Sequence, residues 1–298
     1  MPEMPEVETI RRIIEPQLAG QTILAVSVGN PQIIAYPDAA LFTGRLTGQT
    51  VQGMSRRGKF LTIHFESGDR VVVHLRMTGQ LLVMPEDEPI EKHTHLTVEL
   101  SGGKQLRYID VRRFGRFWYL QAAEEDCVTG QGKLGLEPLD AALTPLYLKQ
   151  KLGKRKKSIK EMLHDQSVVA GIGNIYSDEI LYAAGIYPEE TCLELEEEDW
   201  KRLAEQIREI IVWGIDTNQM TPEEYLAGRG KEYRNMPHLR VYGREGQPCA
   251  RCGSVIKRIV IGGRSSCYCP DCQKNSYRLA AVYFYKKGKN EEDAHGIL

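Results

Sequence analysis

Two cysteine pairs, Cys249-x-x-Cys252 and Cys269-x-x-Cys272, lie sixteen residues apart near the end of a 298-residue chain. Each pair can present two thiolates from one side of a knuckle. Four thiolates with no open position make a closed tetrahedral site. The chain between them suits a two-stranded hairpin, with residues 255–261 and those after Arg264 as strands and Gly262-Gly263 at the tip. The expected ligand is one structural zinc ion held by Cys249, Cys252, Cys269 and Cys272, with iron in a rubredoxin-like site as the alternative. Cys267 stands two residues before Cys269 and reads as a small buried residue. A segment this short buries too little apolar surface to fold alone, so the metal supports the fold rather than the chemistry.

Of the seven cysteines, five lie between Cys249 and Cys272, while Cys127 and Cys192 stand apart. That spread fits metal binding in a reducing, cytoplasmic setting better than a disulfide framework. The first residues, Met-Pro-Glu-Met-Pro-Glu, lack the apolar stretch of a secretory signal, and no apolar run approaches membrane-spanning length. The formal net charge of −1 conceals segregation. Seven Lys/Arg and no carboxylate fall between Lys149 and Lys160, and seven carboxylates with no Lys/Arg between Glu189 and Asp199. Each run alone reads as a solvated helix face; together they allow a basic face on a neutral chain. Residues 237–275 carry seven Lys/Arg against two carboxylates, so a metal-stiffened basic hairpin could hold Arg264 against phosphate.

Periodicity divides the chain into an α+β arrangement. Val7, Ile10, Ile14 and Leu18 recur at helical spacing, with Pro5 in the first turn and Gly20 at the end. Alternation then marks strands around residues 60–65, 71–75, 95–100 and from Leu106, with Glu66-Ser67-Gly68-Asp69 as a turn. A leading helix and β-sandwich over residues 1–135 are expected, followed by a helical domain over 136–236. The hairpin occupies 237–275, and 276–298 form a tail of unassigned role. Helices are expected near 145–152, 158–165, 175–184 and 196–213, and residues 214–236 read as irregular and polar. Gly171 and Gly173 imply tight turns that place backbone N–H groups at a helix start.

Pro2-Glu3-Met4-Pro5-Glu6-Val7-Glu8-Thr9, Arg57-Gly58-Lys59-Phe60-Leu61, His74-Leu75-Arg76-Met77, Asp110-Val111-Arg112-Arg113-Phe114-Gly115, Gly173-Asn174-Ile175-Tyr176 and the four-cysteine ribbon recur together along nearly the whole chain. In this the sequence resembles the formamidopyrimidine-DNA glycosylases, which are similar to the endonuclease VIII enzymes. The resemblance implies an N-terminal β-sandwich, a helix–two-turn–helix domain and a C-terminal zinc-ribbon hairpin. It implies a bifunctional glycosylase and lyase acting as a monomer on damaged double-stranded DNA, with no membrane or obligate protein partner. Pro2 would be the nucleophile once Met1 is removed, and Glu3 the acid/base. Lys59 would act in β-elimination and Arg264 in δ-elimination. His93, Arg112, Lys157 and Asn174 would contact DNA, with His74 alongside them, and Met77, Arg112 and Phe114 would fill the gap left by an everted base.

The chemistry stands on its own terms. An α-amino group titrates near 8 and a lysine near 10.4, so more of a terminal amine is free base at neutral pH. A helix start behind it disfavours the ammonium form further. Proline is a secondary amine, so attack on a sugar C1′ gives an iminium that stays cationic at any pH and draws electrons out of the sugar–phosphate bonds. Two departures bear on the substrate. The family's glycine- and threonine-rich loop is expected just after Trp213-Gly214, where this chain reads Ile215-Asp216-Thr217-Asn218-Gln219-Met220-Thr221-Pro222. Leu136 stands where proline is usual. Three readings are weighed: excision of oxidised purines (8-oxoguanine, formamidopyrimidines), an endonuclease VIII-like preference for oxidised pyrimidines, and a non-catalytic zinc-ribbon module that recognises damaged DNA.

Overall fold

A computed structural model describes residues 2–274; Met1 and residues 275–298, with the expectations on N-terminal processing and the tail, lie outside the described residues. Helix α1 (Met4–Leu18) starts as expected, with Glu3 at the N-cap and Pro5 in a first turn where a missing N–H costs nothing. Its stripe of Val7, Ile10, Ile14 and Leu18 is buried. Then come β1 (Ile23–Val28), β2 (Ile34–Tyr36), α2 (Ala39–Leu46), β3 (Val51–Arg57), β4 (Phe60–Phe65), β5 (Arg70–His74), β6 (Gln80–Pro85), β7 (Thr94–Leu100), β8 (Lys104–Ile109) and β9 (Arg116–Leu120).

The strands form two sheets, one ordered β1-β7-β8-β6 and the other β2-β9-β5-β4-β3. All pairings in them are antiparallel except β2 with β9. Leu61, Ile63, Val71 and Val73 from one sheet share a core with Val98, Leu106 and Tyr108 from the other and with the α1 stripe. The expected sandwich is therefore present. The alternation along β4 does not expose its second face, because Phe60 joins Val72, Trp118 and Leu120 in a separate cluster covered by Tyr36 and Leu134.

The remaining helices are α3 (Pro145–Leu152), α4 (Ile159–Leu163), α5 (Asn174–Ala184), α6 (Glu197–Thr217) and α7 (Pro222–Ala227), before the hairpin β10 (Lys257–Ile261) and β11 (Arg264–Tyr268). Helix α6 runs four residues past the expected end. Ile215 is buried one turn beyond buried Ile211, so the apolar register continues through Gly214. Helix α7 lies inside the stretch expected to be irregular; Thr221 caps it by accepting the Glu224 N–H.

The chain forms two compact units. Among the described residues, the first contains 2–137, 169–171 and 211–238; the second contains 138–168, 172–210 and 239–274. Residues 211–238 pack with the sandwich, and the ribbon packs with the helices.

The hairpin pairs Ile261 with Arg264 across Gly262-Gly263, both left-handed at φ 53° and 76° as a two-residue turn requires. The four expected ligands have their sulfur atoms within 4.8 Å of one another. The Cys249–Cys272 and Cys252–Cys269 sulfur separations are 3.9 and 3.4 Å. A zinc–sulfur bond of about 2.3 Å in a tetrahedron gives an edge of about 3.8 Å. The cysteines thus form a site for one structural zinc ion, and Cys267 is buried outside it. Cys249→Ser is expected to abolish stoichiometric zinc. It should also lower the melting temperature of the second unit by roughly 10 °C, the shift for about 3 kcal/mol in a unit this size. Metal analysis with calorimetry checks this, and full zinc content in the variant would remove Cys249 from the ligand set.

Candidate active site

Pro2 is half-buried, and Glu3 and Lys59 are buried. Two glycines explain how they are brought together. Gly171 (φ +91°) accepts the Met4 N–H at 3.0 Å, and a Cβ on it would lie 2.4 Å from the Met4 Cβ and 3.6 Å from the Gly58 Cα. Gly58 (φ +55°) begins the two-residue turn between β3 and β4, whose second residue is Lys59. The start of α1 and the Lys59 turn therefore rest against the same small residue. Glu137 fixes the turn from the other side. Its Oε1 accepts the Gly58 N–H at 2.7 Å and an Arg57 N–H at 2.8 Å, and its Oε2 accepts from Arg56 at 2.7 Å. The Glu6 carboxylate accepts the Glu3 N–H at 2.8 Å, which anchors the residue next to the proposed nucleophile.

Met77, Arg112 and Phe114 are exposed at the tips of two loops, 75–79 and 110–115, and touch one another. An Arg112 N–H points at the Met77 sulfur at 3.1 Å, and the guanidinium lies 4.7 Å from the Phe114 ring centroid. What joins the loops is Asp110, fully buried, a residue with no role of its own legible in its local pattern. It accepts from the Thr78 hydroxyl in one loop and from the backbone N–H groups of Arg112 and Gly115 in the other at 3.1 and 3.0 Å. The Tyr108 hydroxyl donates to it at 2.8 Å. Burial alone would raise this carboxyl's pKa, but the four donors outweigh it and hold the group ionised below the usual carboxylate range. Arg76 and Arg113 in these loops are left-handed at φ 57° and 58°. That strain persists because the carboxylate over-determines the loop.

His74 lies at the end of β5, at the base of the Met77 loop. It is buried, edge-on to Phe60 at 4.6 Å, and its Nδ1 accepts the Arg76 N–H at 3.0 Å. Burial first, then the Arg76 and Lys59 charges, push its pKa down to about 3. It is a neutral support for the Met77 loop. His93, half-buried with φ 72°, accepts the Asp110 N–H through its carbonyl at 3.1 Å.

Within the second unit, Lys157 is exposed and Asn174 opens α5. The Asn174 Nδ2 donates to the carbonyl of Ser265 at 3.0 Å, next to exposed Arg264. Its Oδ1 is buried with no hydrogen-bond partner among the described residues. Two neighbouring acids on α5 that the sequence does not single out bind the ribbon to the helices. Asp178 pairs with buried Lys160 and accepts the Ser266 hydroxyl at 2.7 Å and the Cys267 N–H at 3.0 Å. Glu179 accepts three successive N–H groups, from Arg240, Val241 and Tyr242, at 2.8, 2.9 and 2.9 Å. Their apolar surroundings come from residues distant in sequence, so only capping-type acids on a helix hinted at them.

Residues 1–117 match the model of the formamidopyrimidine-DNA glycosylase N-terminal domain, and residues 134–225 that of its H2TH domain. Residues 246–275 match a zinc finger found in FPG and IleRS. The chain is 44% identical over 275 residues to the formamidopyrimidine-DNA glycosylase of Desulforamulus reducens, covering 92% of this chain and 99% of that one. It is 44% identical over 259 residues to the one from Moorella thermoacetica, covering 87% and 94%. Among solved structures it resembles Lactococcus lactis Fpg with oxidised-pyrimidine DNA (TM-score 0.83, 35% identity, 92% and 100% covered). It also resembles the same protein with DNA containing Fapy-dG (TM-score 0.82, 36% identity, 92% and 100% covered). No helix among the described residues is long and apolar enough to cross a membrane.

The depressed His74 pKa carries a sign. The folded value of about 3 lies below the ordinary 6.5, so its share of stability is complete above about pH 6.5 and is lost as pH falls toward 3. A His74→Gln variant, which cannot take the proton, is expected to show a shallower fall of melting temperature between pH 6.5 and 4 than the parent. Parallel curves would mean that the ring is already charged in the folded protein.

Proposed function

The chain belongs to the formamidopyrimidine-DNA glycosylase family, and we propose that it excises oxidised bases from duplex DNA and cleaves the strand through an iminium on Pro2. The observation that carries this is the anchoring of the chain's first residues, with Met4 tied to Gly171 and Glu3 to Glu6 beside the Lys59 turn. Named relatives spanning most of the chain are glycosylases, which sets aside a non-catalytic module.

On this reading the Pro2 nitrogen forms a bond to C1′ as the bond from C1′ to the base breaks, and the proton that the nitrogen gives up goes to the departing base. The C1′–O4′ bond then opens, O4′ takes a proton that Glu3 supplies, and the nitrogen lone pair completes the iminium. Loss of a C2′ proton expels the 3′-phosphate, assisted by Lys59. Loss of a C4′ proton expels the 5′-phosphate, assisted by Arg264. Water then releases the sugar fragment and restores the amine. Residues 1–135 carry the chemistry. Residues 136–236, with Lys157 and Asn174, grip the backbone, and the 237–275 ribbon presents Arg264. Zinc supplies rigidity and takes part in no bond change.

Met77 and Phe114 act as apolar wedges and Arg112 as a bidentate reader of the base left unpaired, a set that favours an oxidised purine opposite cytosine. Oxidised pyrimidines are a second substrate class, since the similar Lactococcus lactis protein is solved with such DNA. The clustered zinc thiolates suit a reducing cytoplasm, where the protein works as a monomer without an obligate protein partner.

Excision and strand cleavage make different demands on Glu3. An abasic site is already an aldehyde, so Pro2 condenses with no base to expel. Glu3→Gln is therefore expected to lose about 10²–10⁴ in excision of 8-oxoguanine opposite cytosine while keeping borohydride trapping on an abasic duplex. Equal, small losses on both duplexes would return Glu3 to the role of a helix cap.

A further inference from the structure

No side chain of residues 218–235 is named in the scheme above, and the segment follows α6, where the sequence departs from the expected glycine- and threonine-rich loop. Their ends converge on one carboxylate. The Nδ2 groups of Asn218 and Asn235 both donate to the Oε1 of Glu6 at 3.3 Å, and the Asn235 N–H donates to the Asn218 Oδ1 at 3.0 Å. Both asparagines are fully buried and Glu6 is 3% exposed. The other oxygen of Glu6 is the one that accepts the Glu3 N–H.

A capping role needs only that second oxygen. Burying two primary amides is costly unless their donors are used, and here donors from each end of the segment are used on one carboxylate. The segment also has anchors independent of Glu6. The Tyr225 hydroxyl donates to the Leu81 carbonyl at 3.3 Å, and Arg229 pairs with Glu88 and Glu91 at 3.2 Å each. Gly230 (φ +64°) lies so close to Tyr225 that a Cβ would meet its hydroxyl at 2.8 Å. Removing one amide therefore leaves the segment attached through these anchors while weakening its grip on Glu6.

We propose that Asn218 and Asn235 are positioning residues for the nucleophile: through Glu6 they fix Glu3, and so the Pro2 amine beside it. This rests on the reading of Pro2 as nucleophile. Attack on C1′ needs the amine within a narrow range of distance and angle, and a displacement of about 1 Å can cost about 10²-fold in rate. In this chain the segment after α6 is a preset brace for the catalytic end.

The test is single-turnover borohydride trapping on an abasic duplex and excision of 8-oxoguanine, with rate and amplitude recorded separately. The proteins are the parent, Asn218→Ala, Asn235→Ala, Glu6→Gln and the Glu6→Gln/Asn218→Ala pair, with Asn218→Ser as a milder variant if the alanine melts below assay temperature. Each asparagine substitution is expected to slow trapping and excision by the same factor, about tenfold, at parental amplitude. The double variant should be no slower than Glu6→Gln alone, because both changes act through one carboxylate. Unchanged rates overturn the proposal. So does a reduced amplitude at parental rate, which reports a misfolded fraction, and so does slowed excision with intact trapping, which would put the segment's action on the base. No trapping by the parent would overturn the Pro2 reading and the inference with it.

Discussion

An amine at the start of a chain is useful only if that start is held still, and chain ends ordinarily fray. Here the hydrogen bond from the Met4 N–H to Gly171 does the holding, at a position where any side chain would collide with Met4. Everything proposed for the site depends on this contact. It fixes where α1 begins, so that Glu3 caps the helix and Pro2 precedes it. It brings the Gly58-Lys59 turn alongside. Its partner Gly171 comes from a stretch more than 160 residues on that packs with the sandwich.

The same economy recurs elsewhere in the first unit, where single buried or half-buried carboxylates each join two stretches of chain. Glu137 holds the Lys59 turn, Asp110 ties the two gap-filling loops, and Glu6 gathers both ends of the 218–235 segment. A carboxylate offers two oxygens and several lone pairs, so it can satisfy several backbone donors that no sheet or helix would satisfy. Irregular loops, where the functional side chains sit, gain definition this way without losing their exposure. Met77, Arg112 and Phe114 remain exposed at the surface while the backbone beneath them is over-determined. In the second unit, Asp178 and Glu179 do the corresponding work, binding β11 and the residues before the ribbon to α5.

What could be read from the sequence was whatever is encoded at short range. The helical stripe of α1, the strands around residues 60–75, the two-glycine hairpin tip and the cysteine spacing are local patterns, and each appears where spacing placed it. Missed features depend on partners far along the chain. Asn235 meets Glu6 across 229 residues, and Glu137 meets Arg57 across 80. Helix α6 overran its expected end because a buried Ile215 continued the register through a glycine that reads as a stop. A histidine in a strand announces a need for a partner, and only the fold shows that His74 takes the Arg76 N–H on its Nδ1.

The central claim is that bond formation occurs at the nitrogen of Pro2. The most direct measurement is to reduce the complex with an abasic duplex using borohydride, digest it, and locate the sugar remnant by tandem mass spectrometry. The account predicts one adduct, on the peptide that begins with Pro2, in molecules that have lost Met1. An adduct on the side chain of Lys59 or any other lysine, or trapping at full rate in molecules that retain Met1, would contradict it.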